Sequence, residues 1–478
     1  MNRGTAVTCV VACVVVLLAA CVVGAEELRT TLDEQEAVSV TVYNAGLGLV
    51  RDTRRLQLPV SDELRLQFMD VASRIIPTSV HIRSVTAPEA LEVLEQNYEY
   101  DLLSPHKLME KYVGRPVKLI RHNEYTDRTE VKEGTLLSTN QGYIYRFGDE
   151  IYINPEGQVV LPEIPPNLIA KPTLVWLLKN RRAAPQLIEA TYLTEGIRWE
   201  ADYVLVLSEL GAGSRAALTC WVTVDNQSGA QYRNATLKLV AGEIHRAVPR
   251  ERRRDMVLKA MGAAEEVSQF EERAFFEYHI YSLKRPTTIK DKQTKQVLFH
   301  ETDRVAVERL LRYTGGTGYW YARWRQPVTN ERPVVLVKFM NSEDSGLGIP
   351  LPEGTVRVYM KDIDGTAQFV GEDRIKHTPR DEKVELEVGK AFDVVVERRQ
   401  TDWRKIGGDV FQIEWEITFR NHKDEAVEIE VLESVPGDWM VLKASHEYEK
   451  YTANTLRFIV PVEANGTAVL RYRVQFTR

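Results

Sequence analysis

Residues 411–421, FQIEWEITFRN, alternate without a break. Phe411, Ile413, Trp415, Ile417 and Phe419 fall on one face, while Gln412, Glu414, Glu416, Thr418 and Arg420 fall on the other. A period of two suits a pleated strand, whose successive side chains point to opposite faces, and no helix can segregate such a pattern. KVELEVG, VEIEV, LRFIV and LRYRVQF repeat the rhythm. Asp364-Gly365 separates VRVYMKD from TAQFVGE, and Asn465-Gly466 separates LRFIVPV from the last strand; both dipeptides accept the positive φ of a type I′ hairpin. The C-terminal half therefore reads as antiparallel β.

Four apolar runs also exit through Asn into a polar turn: TVYN, TVDN, KFMN and TFRN, ending at Asn44, Asn226, Asn341 and Asn421. Asn tolerates the left-handed region and bonds its own backbone, so these read as similar strand exits.

The 478 residues imply roughly two to four domains, and 44% apolar against 27% charged residues places the chain with folded proteins. After a leader over 1–25, residues 26–105 read as an N-terminal β domain with short strands such as VSVTVYN and LRLQF. Residues 106–170 give short strands with Gly-containing turns, as in a small barrel. TLVWLLKNRRAAPQLIEATYL is compatible with a helix or a hairpin, and Pro185 favours the hairpin. Residues 190–478 form the expected sandwich. Within it 249–276 breaks the pattern with charges and good helix formers, reading as a helix or a mobile insertion. The expected fold class is thus mainly β, an antiparallel β-sandwich with a small helical insertion, preceded by smaller β-rich modules.

The leader has Arg3, the uncharged run TAVTCVVACVVVLLAACVVGA, then Glu26 and Glu27, the form of an export signal. Val23-Gly24-Ala25 suits ordinary cleavage, Leu18-Ala19-Ala20-Cys21 resembles a bacterial lipobox with Cys21 as lipid attachment point, and the run is also near the length of a membrane anchor. The expected location is outside the cytoplasm: periplasmic, secreted or lipid-anchored at the envelope, with the membrane reached only through this leader or a lipid. Three of the four cysteines lie in it, which leaves Cys220, in ALTCWVTV, as a small buried hydrophobe. A net charge of −6 supplies no basic field for nucleic acid. The cluster Arg250, Arg252, Arg253 and Arg254 reads as a solvated face.

Reaction motifs are scarce. In GLGIPLPEGTVRVY, residues 346–359, a phosphate-binding loop would need G-x-G-x-x-G ahead of a helix; here the third glycine is displaced, two prolines remove amide donors and a strand follows. It reads as a rigid connector. His300-Glu301 and His446-Glu447 are followed by Arg304 and Lys450 where a zinc site needs histidine. Asp362-Ile363-Asp364-Gly365 has its glycine too early for a calcium loop. No cofactor, metal or catalytic residue is expected.

RLLRYTGGTGYWYARWRQP, 309–327, stands apart. Tyr313, Tyr319, Trp320, Tyr321 and Trp324 lie among Arg312, Arg323 and Arg325 in a glycine-rich loop, where rings and guanidinium forks can stack on sugars or hold a partner. Tyr313, Tyr319, Trp320, Tyr321, Arg323 and Trp324 are the candidate ligand-binding residues; the competing expectation is that the rings fold back onto the sandwich.

IRWEADYVLVL, CWVTVDNQSGAQYRNATLKLVAGE, FFEYHIYSLKRPTTIKDKQTKQV, GLGIPLPEGTVRVYMKDIDGTAQFVGEDRIKHTP and GKAFDVVVERRQTD together resemble the bacterial domain-of-unknown-function 4139 family over about residues 190–478. The opening, VTVYNAGLGLVRDTRRLQLP and PTSVHIRSV, is similar to the N-terminal domain of proteins named mucoidy inhibitor A. Such relatives often carry a coiled coil where this chain has the strand-rich 112–162. The resemblance implies no reaction and points to exopolysaccharide or envelope biology. The functional expectation is an exported binding or structural module whose partner is an envelope protein or polysaccharide, the alternative being an envelope hydrolase of polysaccharide or peptide with a site assembled from dispersed residues.

Overall fold

The computed structural model describes residues 26–99, 104–123, 128–163, 171–208, 214–242, 269–275, 278–316 and 320–477. Cys21, the leader, the 250–254 arginines and most of the 249–276 insertion lie outside them. The protein is mainly β, in several sheets, with one α-helix among the described residues. It divides into two compact units, residues up to 37 with 52–73 and 77–192, and residues 38–51 with 74–76 and 193–478.

In the first unit Glu26–Thr30 runs parallel to Ser61–Met69, which pairs on its other edge with Thr173–Asn180; Leu91–Glu99 completes the sheet. Leu64, Leu66, Phe68, Leu174, Trp176 and Leu178 are buried on it. Arg54 ties two strand ends together: it donates to the carbonyls of Thr30 (3.0 Å) and Met69 (2.8 Å), pairs with Asp52 at 2.8 Å and lies 3.5 Å over the Phe68 ring. Such a buried charge is tolerable because every side of it is compensated.

The hairpin expected over 173–193 is not formed. Both halves are strands, but Thr173–Asn180 lies between Ser61–Met69 and Leu91–Glu99, while Ala184–Glu195 pairs with His81–Ser84. The unbroken apolar run Leu174–Leu178 suits a central strand flanked on both edges, a place a two-stranded hairpin does not provide. Where a small barrel is expected, the described residues form a five-stranded antiparallel sheet in which Pro116–Asn123 and Arg128–Ser138 are interior strands. The α-helix Pro105–Lys111, started by Pro105 and the Ser104 cap, contributes Met109 to its core beside Tyr112, Leu119, Tyr145 and Phe147.

The second unit is organised by one 22-residue strand, Gln293–Thr314. Its first half pairs with Arg215–Asn226, which pairs in turn with Ile197–Leu207. Its second half pairs with Val334–Met340, and Leu311–Thr314 also run parallel to part of Val427–Ser434. The described end of the insertion, Phe270–Phe275, is a strand rather than helix, paired with Tyr278–Leu283 and holding Phe270 in the core.

Beyond residue 310 the expected sandwich is present. One sheet is ordered Val328–Glu331, Val394–Gly407, Val410–Asn421, Thr467–Thr477, Asp438–Ala444. The facing layer brings Val427–Ser434, Thr455–Val462 and Tyr448–Thr452. Ile413, Trp415, Ile417 and Phe419 meet Ile429, Val431, Phe458 and Val460 in one core, as the alternation requires. The Asp364-Gly365 turn does form a hairpin. Asn465-Gly466 does not, because Thr455–Val462 pairs in one layer and Thr467–Thr477 in the other; the positive φ of Asn465 (49°) turns the chain across the sandwich.

Three of the four Asn exits share a chemistry; the exception is Asn44, whose side-chain oxygen is buried with no hydrogen-bond partner among the described residues. Asn421 donates to the carbonyls of Glu425 (2.8 Å) and Glu463 (3.0 Å) and accepts from the Lys423 amide. Asn226 bonds the carbonyls of Ala230 and Lys290 and the Ser228 amide, and Asn341 bonds the carbonyls of Ile349 and Pro379 and the Gly348 amide. All three are buried, so each amide closes its own turn onto a neighbouring segment. The 346–359 connector is fixed the same way: Tyr281 and Tyr203 donate to the carbonyls of Pro350 and Pro352, and a Cβ on Gly346 (φ 67°) would fall 2.2 Å from the Thr302 hydroxyl. His300 is buried against the Gly346 carbonyl at 2.7 Å.

Candidate functional site

The long strand ends at Thr314 and the aromatic loop begins on Gly315. A Cβ there would lie 2.3 Å from the Glu433 carboxylate oxygens, so only glycine lets the backbone pass. Glu433 is fully buried and pairs at 2.7 Å with Arg398, whose guanidinium lies 3.6 Å over the Trp415 ring. Burial pulls the Arg398 guanidinium down, but the Glu433 carboxylate beside it outweighs that and holds it above its usual value.

The loop then divides. Trp320 is 1% exposed and sits edge-on to Trp415 (6.1 Å) and Phe476 (5.5 Å) in the sandwich core. Tyr313 is also buried, edge-on to Phe419, with its hydroxyl donating to Glu331. For these two candidates the ligand-binding expectation is corrected: burying a large ring in an apolar layer outweighs presenting it to water, and neither reaches the surface. Arg312, drawn into the same stretch by sequence, is held by Glu430 and Glu385. Tyr319 lies outside the described residues.

The remaining candidates face outward. Tyr321 rests edge-on to Phe411 and Phe476 yet is 48% exposed; Trp324 is 40% exposed; Arg323 and Arg325 are exposed. Their backbone is pinned. Gln400 accepts from the Trp324 amide (2.7 Å) and donates to the Ala322 carbonyl (3.4 Å), and the Trp403 indole donates to the Trp320 carbonyl (3.3 Å). Between loop and strand lies a cleft of about 290 Å³ lined by Arg323, Trp324, Arg325, Gln400, Thr401, Asp402 and Trp403.

The far wall was not singled out from sequence. Val394, Val396, Arg398 and Gln400 follow the buried alternation, and the register against Val410–Asn421 then shifts between Gln400 and Asp402. That bulge re-aims Asp402 and Trp403 toward the loop. Its sequence signal is the loss of period two in RRQTDWRK. Asp402, the one carboxylate among the described lining residues, is taken by Arg404 (2.9 Å) and Arg473 (3.2 Å). Arg473 also meets Glu414 at 2.8 Å, a hydrogen bond that raises its pKa.

Chemically, this lining offers ring faces, amide and hydroxyl groups and cations around an open hollow, a set suited to holding a polar ligand with flat faces. Cleaving a glycoside calls for two carboxylates flanking the bond, and among the described residues no second one lines the cleft. Cys220, on a strand elsewhere in this unit, is buried, and burial pushes its thiol far above the usual range, away from nucleophilic use. Among the described residues no group of three or more His, Cys, Asp or Glu is arranged to hold a metal ion. No protein-family model matches the chain, and neither does any curated protein.

Proposed function

We propose that this is an exported cell-envelope protein of the domain-of-unknown-function 4139 kind, acting without catalysis by binding an envelope polysaccharide or protein through the cleft beside the aromatic loop. The observation that carries the reading is the pinned half of the loop. Trp320 anchors in the core and Gln400 fixes the Trp324 amide, so Tyr321, Arg323 and Trp324 stand exposed on a backbone that loses little freedom when a ligand arrives. Exposed rings held this way favour binding because the ordering cost is met by the fold.

The leader supports export, with Cys21 as lipid attachment point or with cleavage after Ala25, just ahead of the first strand at Glu26. Mass spectrometry of the N-terminus recovered from cells decides between them. The binding reading is tested by co-sedimentation with cell-envelope fragments. Trp324→Ala is expected to remove most of the retained protein while the melting temperature stays within about 2 °C, as for a surface substitution. Undiminished retention of the variant would overturn the reading.

A further inference from the structure

The charge around the cleft narrows the ligand class, an inference that rests on the binding reading above. The chain as a whole is acidic at −6, and most of its arginines near the sandwich are engaged by carboxylates: Arg309 with Glu425, Arg399 with Glu416, Arg457 with Glu430, Arg471 with Glu416. Arg323 and Arg325 differ. Both are exposed, both line the cleft, and neither has an ion pair among the described residues. The cleft carboxylate does not neutralise them, because Asp402 is already shared between Arg404 and Arg473. The lining therefore keeps two uncommitted guanidiniums beside the exposed face of Trp324 and the half-buried Trp403.

We propose that the cleft binds an acidic saccharide, with Trp324 and Trp403 covering the apolar faces of a sugar ring and Arg323 and Arg325 gripping its carboxylate. Guanidinium forks match a carboxylate in two-point geometry, and an indole matches the C–H face of a pyranose; both kinds of group line this one cleft. Gln400 and Thr401 supply the amide and hydroxyl contacts that ring hydroxyls need. A hollow of about 290 Å³ takes one or two sugar units. Single-stranded nucleic acid, the other anion with flat faces, needs a longer track of cations and stacking rings than these two arginines provide.

The test is calorimetric titration of the full chain with tetragalacturonate, the neutral maltotetraose and a tetrathymidylate. Tetragalacturonate is expected to bind about ten-fold or more tightly than maltotetraose, with an affinity that falls as salt is raised. Arg323→Gln with Arg325→Gln is expected to abolish that preference without moving the melting temperature, and Trp324→Ala to weaken both saccharides. Equal binding of the acidic and neutral sugars, or a preference that survives in the double glutamine variant, overturns the acidic ligand class while leaving the binding reading standing. Tighter binding of tetrathymidylate overturns it in favour of nucleic acid. No binding of any probe, with envelope retention undiminished by Trp324→Ala, removes the binding reading itself.

Discussion

The Arg398–Glu433 pair lies under the loop that carries the site, and its removal has a calculable cost. Its side chains are 1% and 0% exposed, and the facing nitrogen and oxygen are 2.7 Å apart. At an effective dielectric of about 20 and about 4 Å between charge centres, the attraction is about 4 kcal/mol. Removing one partner leaves the other charge buried, so Glu433→Gln and Arg398→Met are each expected to lower unfolding free energy by about 3–5 kcal/mol. Replacing both by Met removes the charges together and is expected to restore at least half of the loss, since a packed apolar pair of similar volume serves as well. Urea unfolding followed by tryptophan fluorescence is the assay, with Trp415 against the guanidinium as local reporter. Losses under about 1 kcal/mol, or losses that simply add in the double variant, would refute the picture of a desolvated, coupled pair.

Asn421→Ala removes a buried amide that bonds the carbonyls of Glu425 and Glu463 and the Lys423 amide, and an unfolding free energy lower by about 2 kcal/mol is expected in the same assay. Trp320→Ala opens a hole between Trp415 and Phe476 and is expected to cost about 3–5 kcal/mol, where Trp324→Ala costs under about 1. Burial raises the hydroxyls of Tyr203, Tyr281 and Tyr472 well above 10.0. The folded state thus keeps protons that the unfolded chain releases, so this stability is fully present below about pH 10 and is lost as pH rises beyond it. Melting curves against pH, with tyrosinate absorbance recorded alongside, check this; ionisation of all tyrosines near their ordinary value in the folded protein would contradict it.

The alternation in FQIEWEITFRN reached the structure intact because a half-buried strand imposes a one-to-one rule on side-chain direction. Pairing partners were not written in that rule. Asn465-Gly466 specifies a backbone bend, but whether the next strand returns beside its predecessor or crosses to the facing layer depends on which edge is vacant, a tertiary matter. The same holds for Thr173–Asn180, whose local sequence reads as half of a hairpin and names neither of the strands it lies between. At the site, composition located the aromatic loop, yet could not sort Trp320 from Trp324: both are tryptophans in one glycine-rich stretch, and only the gap between Trp415 and Phe476 decides which ring goes in. Gln400, Asp402 and Trp403 come from a strand far along the chain, brought to the loop by a bulge whose only mark is a lapse of rhythm.

Hydrogen exchange of the full chain, with and without an excess of envelope polysaccharide extract, tests the central claim most directly, because it reports where contact occurs without assuming the ligand. Slower exchange is predicted in peptides spanning 321–325 and 400–403, the two walls of the cleft. Unchanged exchange there, with protection arising instead in the small sheet around Leu119 and Tyr152, would contradict the account.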